Sequence, residues 1–150
     1  RHIISSVDKS VYVCHLERSL IEQKRIVLFA PPLCHLETGF KLWVNSIIRL
    51  SQELSIPNVS NSDSKSNEAF IQTTNNGKKI NYISHIEYED WGNYHLLEQQ
   101  INNNDIIVIV MSRKDYLSSN SYFDNLPFKL EKTFDEHIKI AIYPYQTSNE

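Results

Sequence analysis

Six consecutive apolar residues, Ile106-Ile107-Val108-Ile109-Val110-Met111, constrain this chain more than any other stretch. The run is too short to cross a bilayer, which needs about 20 residues. It is also rich in β-branched side chains, which favour extended backbone. A strand that is apolar on both faces must be covered on both faces, as in the middle of a parallel sheet held between helical layers. "RIVLFA" (25–30) has the same character and is stopped by Pro31-Pro32, which remove donors and fix φ.

The segments between these runs alternate helix and strand. Leu36, Phe40, Trp43, Val44, Ile47, Ile48 and Leu54 fall at helical spacing and predict an amphipathic helix over 36–54. A short strand is expected at 56–60, then a polar loop of linker-like composition at 60–67 and a short helix at 67–74. Asn75-Asn76-Gly77 marks a turn, and 78–86 alternates as a strand. A helix over 89–101 would carry Trp91, Tyr94, Leu97 and Ile101 on one side. Another, over 123–136, has Pro127 in its first turn and Leu126, Leu130 and Phe134 as its buried stripe. The last strand, 138–144, is stopped by Pro144 and would leave a sheet edge in need of cover, so a homodimer is expected.

Strand and helix alternate five times, which predicts right-handed βαβ units: a three-layer α/β/α fold around a mostly parallel five-stranded sheet. The expected domain is 25–146, with 147–150 as a tail. Residues 1–24 read as a connecting segment, with a short strand in "SVYVCHL" and a short helix in "LERSLIEQ" that puts Leu16, Leu20 and Ile21 on one face.

Composition narrows the function. At 150 residues, 41% hydrophobic and 22% charged, the chain suits one soluble globular domain. A net charge of −3, with basic residues dispersed apart from Lys78-Lys79 and Arg113-Lys114, argues against nucleic acid as a partner. Cys14 and Cys34 are too few for a disulfide framework. Each lies in the tetrapeptide "CHLE", whose adjacent Cys-His is a poor chelating spacing, so no metal site is expected. His2, His15, His35, His85, His95 and His137 are scattered without ligand spacing and read as surface or cap residues. The start at Arg1 without a leader pattern reads as a piece of a longer protein.

In sheets of this kind ligands lie beyond the carboxyl ends of the strands, at the switch in strand order. The candidate loop residues there are Ala30 and Pro31 after the first predicted strand, and Ser112, Arg113 and Lys114 after the fourth. Arg113 and Lys114 could hold an anion as a fork and a point charge; equally, Arg113 could cap the strand or pair with Asp115. The three glycines, Gly39, Gly77 and Gly92, form neither a dinucleotide nor a P-loop cradle. That disfavours ATP or AMP, and no cofactor is expected. No nucleophile elbow is present. The acids Glu87, Glu89, Asp90, Asp135 and Glu136 lie at expected helix ends, where the helix dipole accounts for them. The chain is therefore not expected to be an enzyme.

Residues 104–146 resemble the closing segment of the cytoplasmic C-terminal domain of bacterial monovalent cation:proton antiporters of the second family. The resemblance rests on an apolar strand running into Ser112-Arg113-Lys114, an aromatic and serine-rich loop with Tyr122, Leu126-Pro127 with Leu130, and Tyr143-Pro144-Tyr145-Gln146. Trp91 and "KRIVLFAPP" extend it more loosely to 24–146. It implies a universal stress protein-like (Rossmann-like) sheet of order 3-2-1-4-5. It also implies a regulatory domain of a Na+(K+)/H+ antiporter at the cytoplasmic face of the inner membrane. Its partners would be the transmembrane part of the same polypeptide, a second copy and a small-molecule ligand. ATP-binding stress proteins carry an Asp after the first strand and a G-x-x-G after the fourth, where this chain has Ala30 and Ser112-Arg113-Lys114. A free-standing stress-protein-like nucleotide binder is the alternative.

Overall fold

The computed structural model describes residues 2–7, 10–16, 18–75, 82–111 and 124–144. Its strands are β1 (His2–Val7), β2 (Ser10–His15), β3 (Arg25–Phe29), β4 (Asn58–Ser62), β5 (Ile83–Glu87), β6 (Asp105–Val110) and β7 (Ile138–Tyr143). Its helices are α1 (Phe40–Leu54), α2 (Ser64–Asn75), α3 (Tyr94–Glu98) and, as α4, Leu126–Thr133. The strands form one sheet in the order β1-β2-β7-β6-β3-β4-β5. β3 to β7 are mutually parallel, whereas β1 and β2 form an antiparallel hairpin.

The expected five strands are thus corrected to seven, and the order of the whole sheet changes with them. Numbered among themselves, the five parallel strands run 3-2-1-4-5; the two additional strands come from the segment expected to be a lead-in. Val11 to His15 pair antiparallel with Tyr143 to Lys139, so β2 covers the β7 edge that was expected to need a second copy. The outermost strands are β1 and β5. Side chains lock the end of the hairpin in place. His15 Nδ1 lies 3.1 Å from Glu131 Oε2 on α4, and Arg18 pairs with Glu136 at 3.1 Å while donating to the Asn103 carbonyl.

Both sheet faces are covered. Ile26, Leu28, Ile106, Val108, Ile138 and Ile140 pack beneath Trp43, Val44 and Ile47 of α1 and Phe70 of α2. The alternate residues Val27, Phe29, Ile107 and Ile109 pack against Leu97, Ile101, Leu126 and Leu130 on the other side. Period-2 alternation between two clusters explains why β3 and β6 read as continuous apolar runs. At their amino ends Arg25 grips Asp105 with two hydrogen bonds of 3.0 and 2.6 Å, and Asp105 also accepts from the Asn102 N–H at 2.7 Å.

Several boundaries move. A 3-10 turn at Cys34–Leu36 precedes α1, which leaves Leu36 exposed, and Ile21 is 90% exposed on another short turn, Leu20–Glu22. The helix expected over 89–101 contracts to α3, yet Trp91, Leu97 and Ile101 are buried. The linker expected over 60–67 is corrected outright: β4 runs through Ser62, α2 starts at Ser64, and Ser60, Asn61, Ser62, Ser66 and Asn67 are all buried. Residues 76–81, 112–123 and 145–150 fall outside the described residues, and with them the rest of the predicted turn, the start of the predicted 78–86 strand and the tail. Among the described residues no helix is long and apolar enough to cross a membrane.

Candidate functional site

The strand order reverses between β3 and β6, and their carboxyl ends define the crevice where α/β sheets hold ligands. Ala30 and Pro31 lie at the β3 end of this crevice, just past the last β3–β6 pair, Phe29 with Ile109. Ser112, Arg113 and Lys114 lie outside the described residues. The hydrogen-bonding groups of the β3 loop can be accounted for one by one.

Its donors are already committed. The Ala30 N–H donates to the Asn61 carbonyl at 3.0 Å, and the Ala30 carbonyl accepts from Ser62 Oγ at 2.9 Å. Pro31 and Pro32 have no N–H to offer. The chain then turns through Leu33 in the left-handed region (φ 63°). This aims the Leu33 N–H at Asp63 Oδ1 (3.3 Å), while the Cys34 N–H folds back to the Pro31 carbonyl.

Asp63 is the hub of this end of the sheet. Its Oδ2 accepts from the Ser66 N–H at 3.3 Å, capping the first turn of α2, and its Oδ1 also accepts from Ser62 Oγ at 3.2 Å. Partial burial pushes its carboxyl upward, but hydrogen bonds from Ser66, Leu33 and Ser62 outweigh that effect and hold it below its ordinary range. A carboxylate supplied by the chain thus takes up N–H groups that an anionic ligand would need. Around it, Asn67 donates to the Ser62 and Ile86 carbonyls and accepts from Ser60 Oγ, joining β4, β5 and α2.

His35 and Cys34 complete the cluster. His35 Nδ1 is 3.0 Å from Ser66 Oγ, and the ring faces a polar groove of about 420 Å³ that also includes Lys41, Asn45, Gln72 and Thr73. Ser66 is 1% exposed, so a substrate could not reach its hydroxyl. Burial pushes the Cys34 thiol up to about 12, leaving it protonated and unreactive at neutral pH. A histidine beside a serine therefore acts here as a strut between the β3 turn and α2.

Sequence reading placed Ala30 and Pro31 by chain order alone and missed Asp63, His35 and Ser66. One signal was available: Asp63, three residues ahead of Ser66 and followed by Ala69-Phe70, is an N-cap pattern. The histidines also divide differently from the surface-or-cap expectation. His137 is buried, with Nε2 2.9 Å from the Asn102 carbonyl. His85 packs edge-on to Phe70 at 5.5 Å, and burial lowers its pKa. Cys14 and Cys34 are both free thiols on the α1–α2 side of the sheet, and among the described residues no cluster of His, Cys, Asp and Glu could hold a metal ion.

No family model, curated protein or solved structure matches this chain.

Proposed function

We propose that this chain is a non-catalytic regulatory domain of a bacterial Na+(K+)/H+ antiporter, held at the cytoplasmic face of the membrane by transmembrane helices of the same polypeptide. It would act by binding a small ligand, or a second copy through a surface other than the covered β7 edge, biasing transport through unequal affinity for two domain arrangements. The observation that supports the reading is on the β3 side of the crevice: among the described residues Asp63 holds the Leu33 and Ser66 N–H groups, which leaves those donors unavailable to a phosphate. The sequence resemblance over 104–146 and the 3-2-1-4-5 order of the parallel strands support the same reading.

The test uses the full-length protein in inverted vesicles. Deleting residues 25–146 should preserve cation-driven proton movement but alter its dependence on pH or cation concentration. An upstream reading frame without apolar segments of about 20 residues would sink the proposal. So would thermal stabilisation of the chain by ATP that disappears in Arg113→Ala, the behaviour of a free-standing nucleotide binder.

A further inference from the structure

A second cavity, of about 420 Å³, lies at the opposite, amino end of the central strands. That volume is within the range of small-molecule sites, roughly 300–1,000 Å³. Its walls are Lys24 and Arg25 where β3 begins, Pro57 just ahead of β4, and residues 102–105 where β6 begins. Three neighbouring strands thus build one site, at the far end of the sheet from the crevice.

The backbone around this cavity is fixed by bonds that leave its side chains free. The carbonyls of Asn102, Asn103 and Asn104 are taken by the His137 ring, the Arg18 guanidinium and the Lys24 N–H, at 2.9, 2.9 and 2.8 Å. The amide side chains of those three residues make no hydrogen bond among the described residues, and Asn102 and Asn103 are exposed. Lys24 is also exposed, and its ammonium has no partner among the described residues.

Arg25 is held more firmly. Nε donates to Asp105 Oδ1 at 3.0 Å, and Nη2 donates to Asp105 Oδ2 and to the Gln100 carbonyl, both at 2.6 Å. Its third nitrogen, Nη1, has no partner among the described residues and stays open to solvent, on a side chain that is 23% exposed. Asp105 is buried and also accepts from the Asn102 N–H, so its carboxylate is spent on Arg25 and the loop. It offsets the guanidinium charge and leaves that of Lys24 unbalanced.

A locked guanidinium with one open edge and an ammonium lining the same cavity suit an oxyanion: arginine donates from a fixed direction, lysine as a point charge. Each asparagine amide offers both donors and an acceptor, which is what hydroxyl groups pair with. We propose that this cavity binds a small polyhydroxylated anion, a sugar phosphate or sugar acid. Its anionic group lies on Lys24 and Arg25 Nη1, and its hydroxyls lie on the amides of Asn102, Asn103 and Asn104. Because Arg25 is fixed in advance, binding costs less ordering. The proposal goes beyond the antiporter reading and does not depend on it.

Glucose 6-phosphate and gluconate are suitable probes, with glucose and inorganic phosphate as the two halves of the recognition. Titration into the ¹⁵N-labelled 150-residue chain should shift the backbone amides of Lys24, Arg25 and 102–105 with glucose 6-phosphate or gluconate, and much less with glucose or phosphate. Whichever of the two anions acts at lower concentration identifies the anionic group. Lys24→Gln, at an exposed position, should weaken the better probe about fivefold or more, as expected for one lost charge-assisted contact. Asn103→Ala, also exposed, should weaken it about threefold through a lost neutral hydrogen bond. No shift up to roughly 10 mM probe, a concentration that would reveal millimolar binding, would overturn the proposal. Shifts confined to other residues, an equal response to glucose or to phosphate, or unchanged binding in either variant would do the same.

Discussion

β4 and β6 flank the central strand β3, and both are buried along their whole length, yet different forces hold them. Ile26 is level with Asn58 on one side and Ile106 on the other, and Leu28 with Ser60 and Val108. β6 is aliphatic from Ile106 to Val110 and is held by apolar burial, at about 25 cal/mol per Å². β4 reads Asn-Val-Ser-Asn-Ser and is held largely by side-chain hydrogen bonds: Asn61 to the Leu28 carbonyl, Ser62 to Ala30 and Ser60 to Asn67. Burial and hydrophobicity are thus separate properties, and β4 has one without much of the other. Its bonding is also incomplete, because Asn58 contributes no side-chain hydrogen bond among the described residues.

Reciprocal substitutions across Ile26 would expose that difference. Ile106→Asn should cost about 3–5 kcal/mol, combining a lost aliphatic side chain with a newly buried unpaired amide. Urea denaturation measures this directly, and a loss below about 1 kcal/mol would show that β6 tolerates polarity as β4 does. Asn58→Val should have the opposite sign, gaining about 1–2 kcal/mol by removing unpaired amide atoms from a buried strand. A clear loss of stability there would mean that the Asn58 amide has a partner in solution.

The smallest effect concerns acid and belongs to the polar side alone. The folded-state pKa of Asp63 lies below its unfolded value, so its contribution is present above about pH 4 and fades as pH falls through the folded value. Stability profiles of the wild type and Asp63→Asn should therefore differ at neutral pH and converge in acid. Parallel profiles over that range would show that Asp63 is not the hub the geometry indicates.

Legibility followed the same division. β3, β6 and α1 could be read because their burial is written in local apolar spacing. β4 could not, because "NVSNSDSKSN" has the composition of a solvated linker. Its burial depends on carbonyls at Leu28, Ala30 and Ile86, which are remote in sequence. Of the hairpin, β2 was legible as the short strand in "SVYVCHL"; β1 was not read, nor was the pairing of β2 with β7, which lies far away in the sequence. At the crevice, chain order located Ala30 and Pro31, but the occupation of their neighbours' N–H groups by Asp63 is a three-dimensional fact.

The closure of β2 on β7 also puts a clock on the molecule. Val11 pairs with Tyr143, about 130 residues later in the chain. At roughly 5–20 residues per second of synthesis, β2 must wait on the order of 7–26 s before its partner exists. During that interval the hairpin leaves the ribosome with one edge open, long before the parallel strands can assemble. β7 is the last of the seven strands to be made, and both of its neighbours precede it.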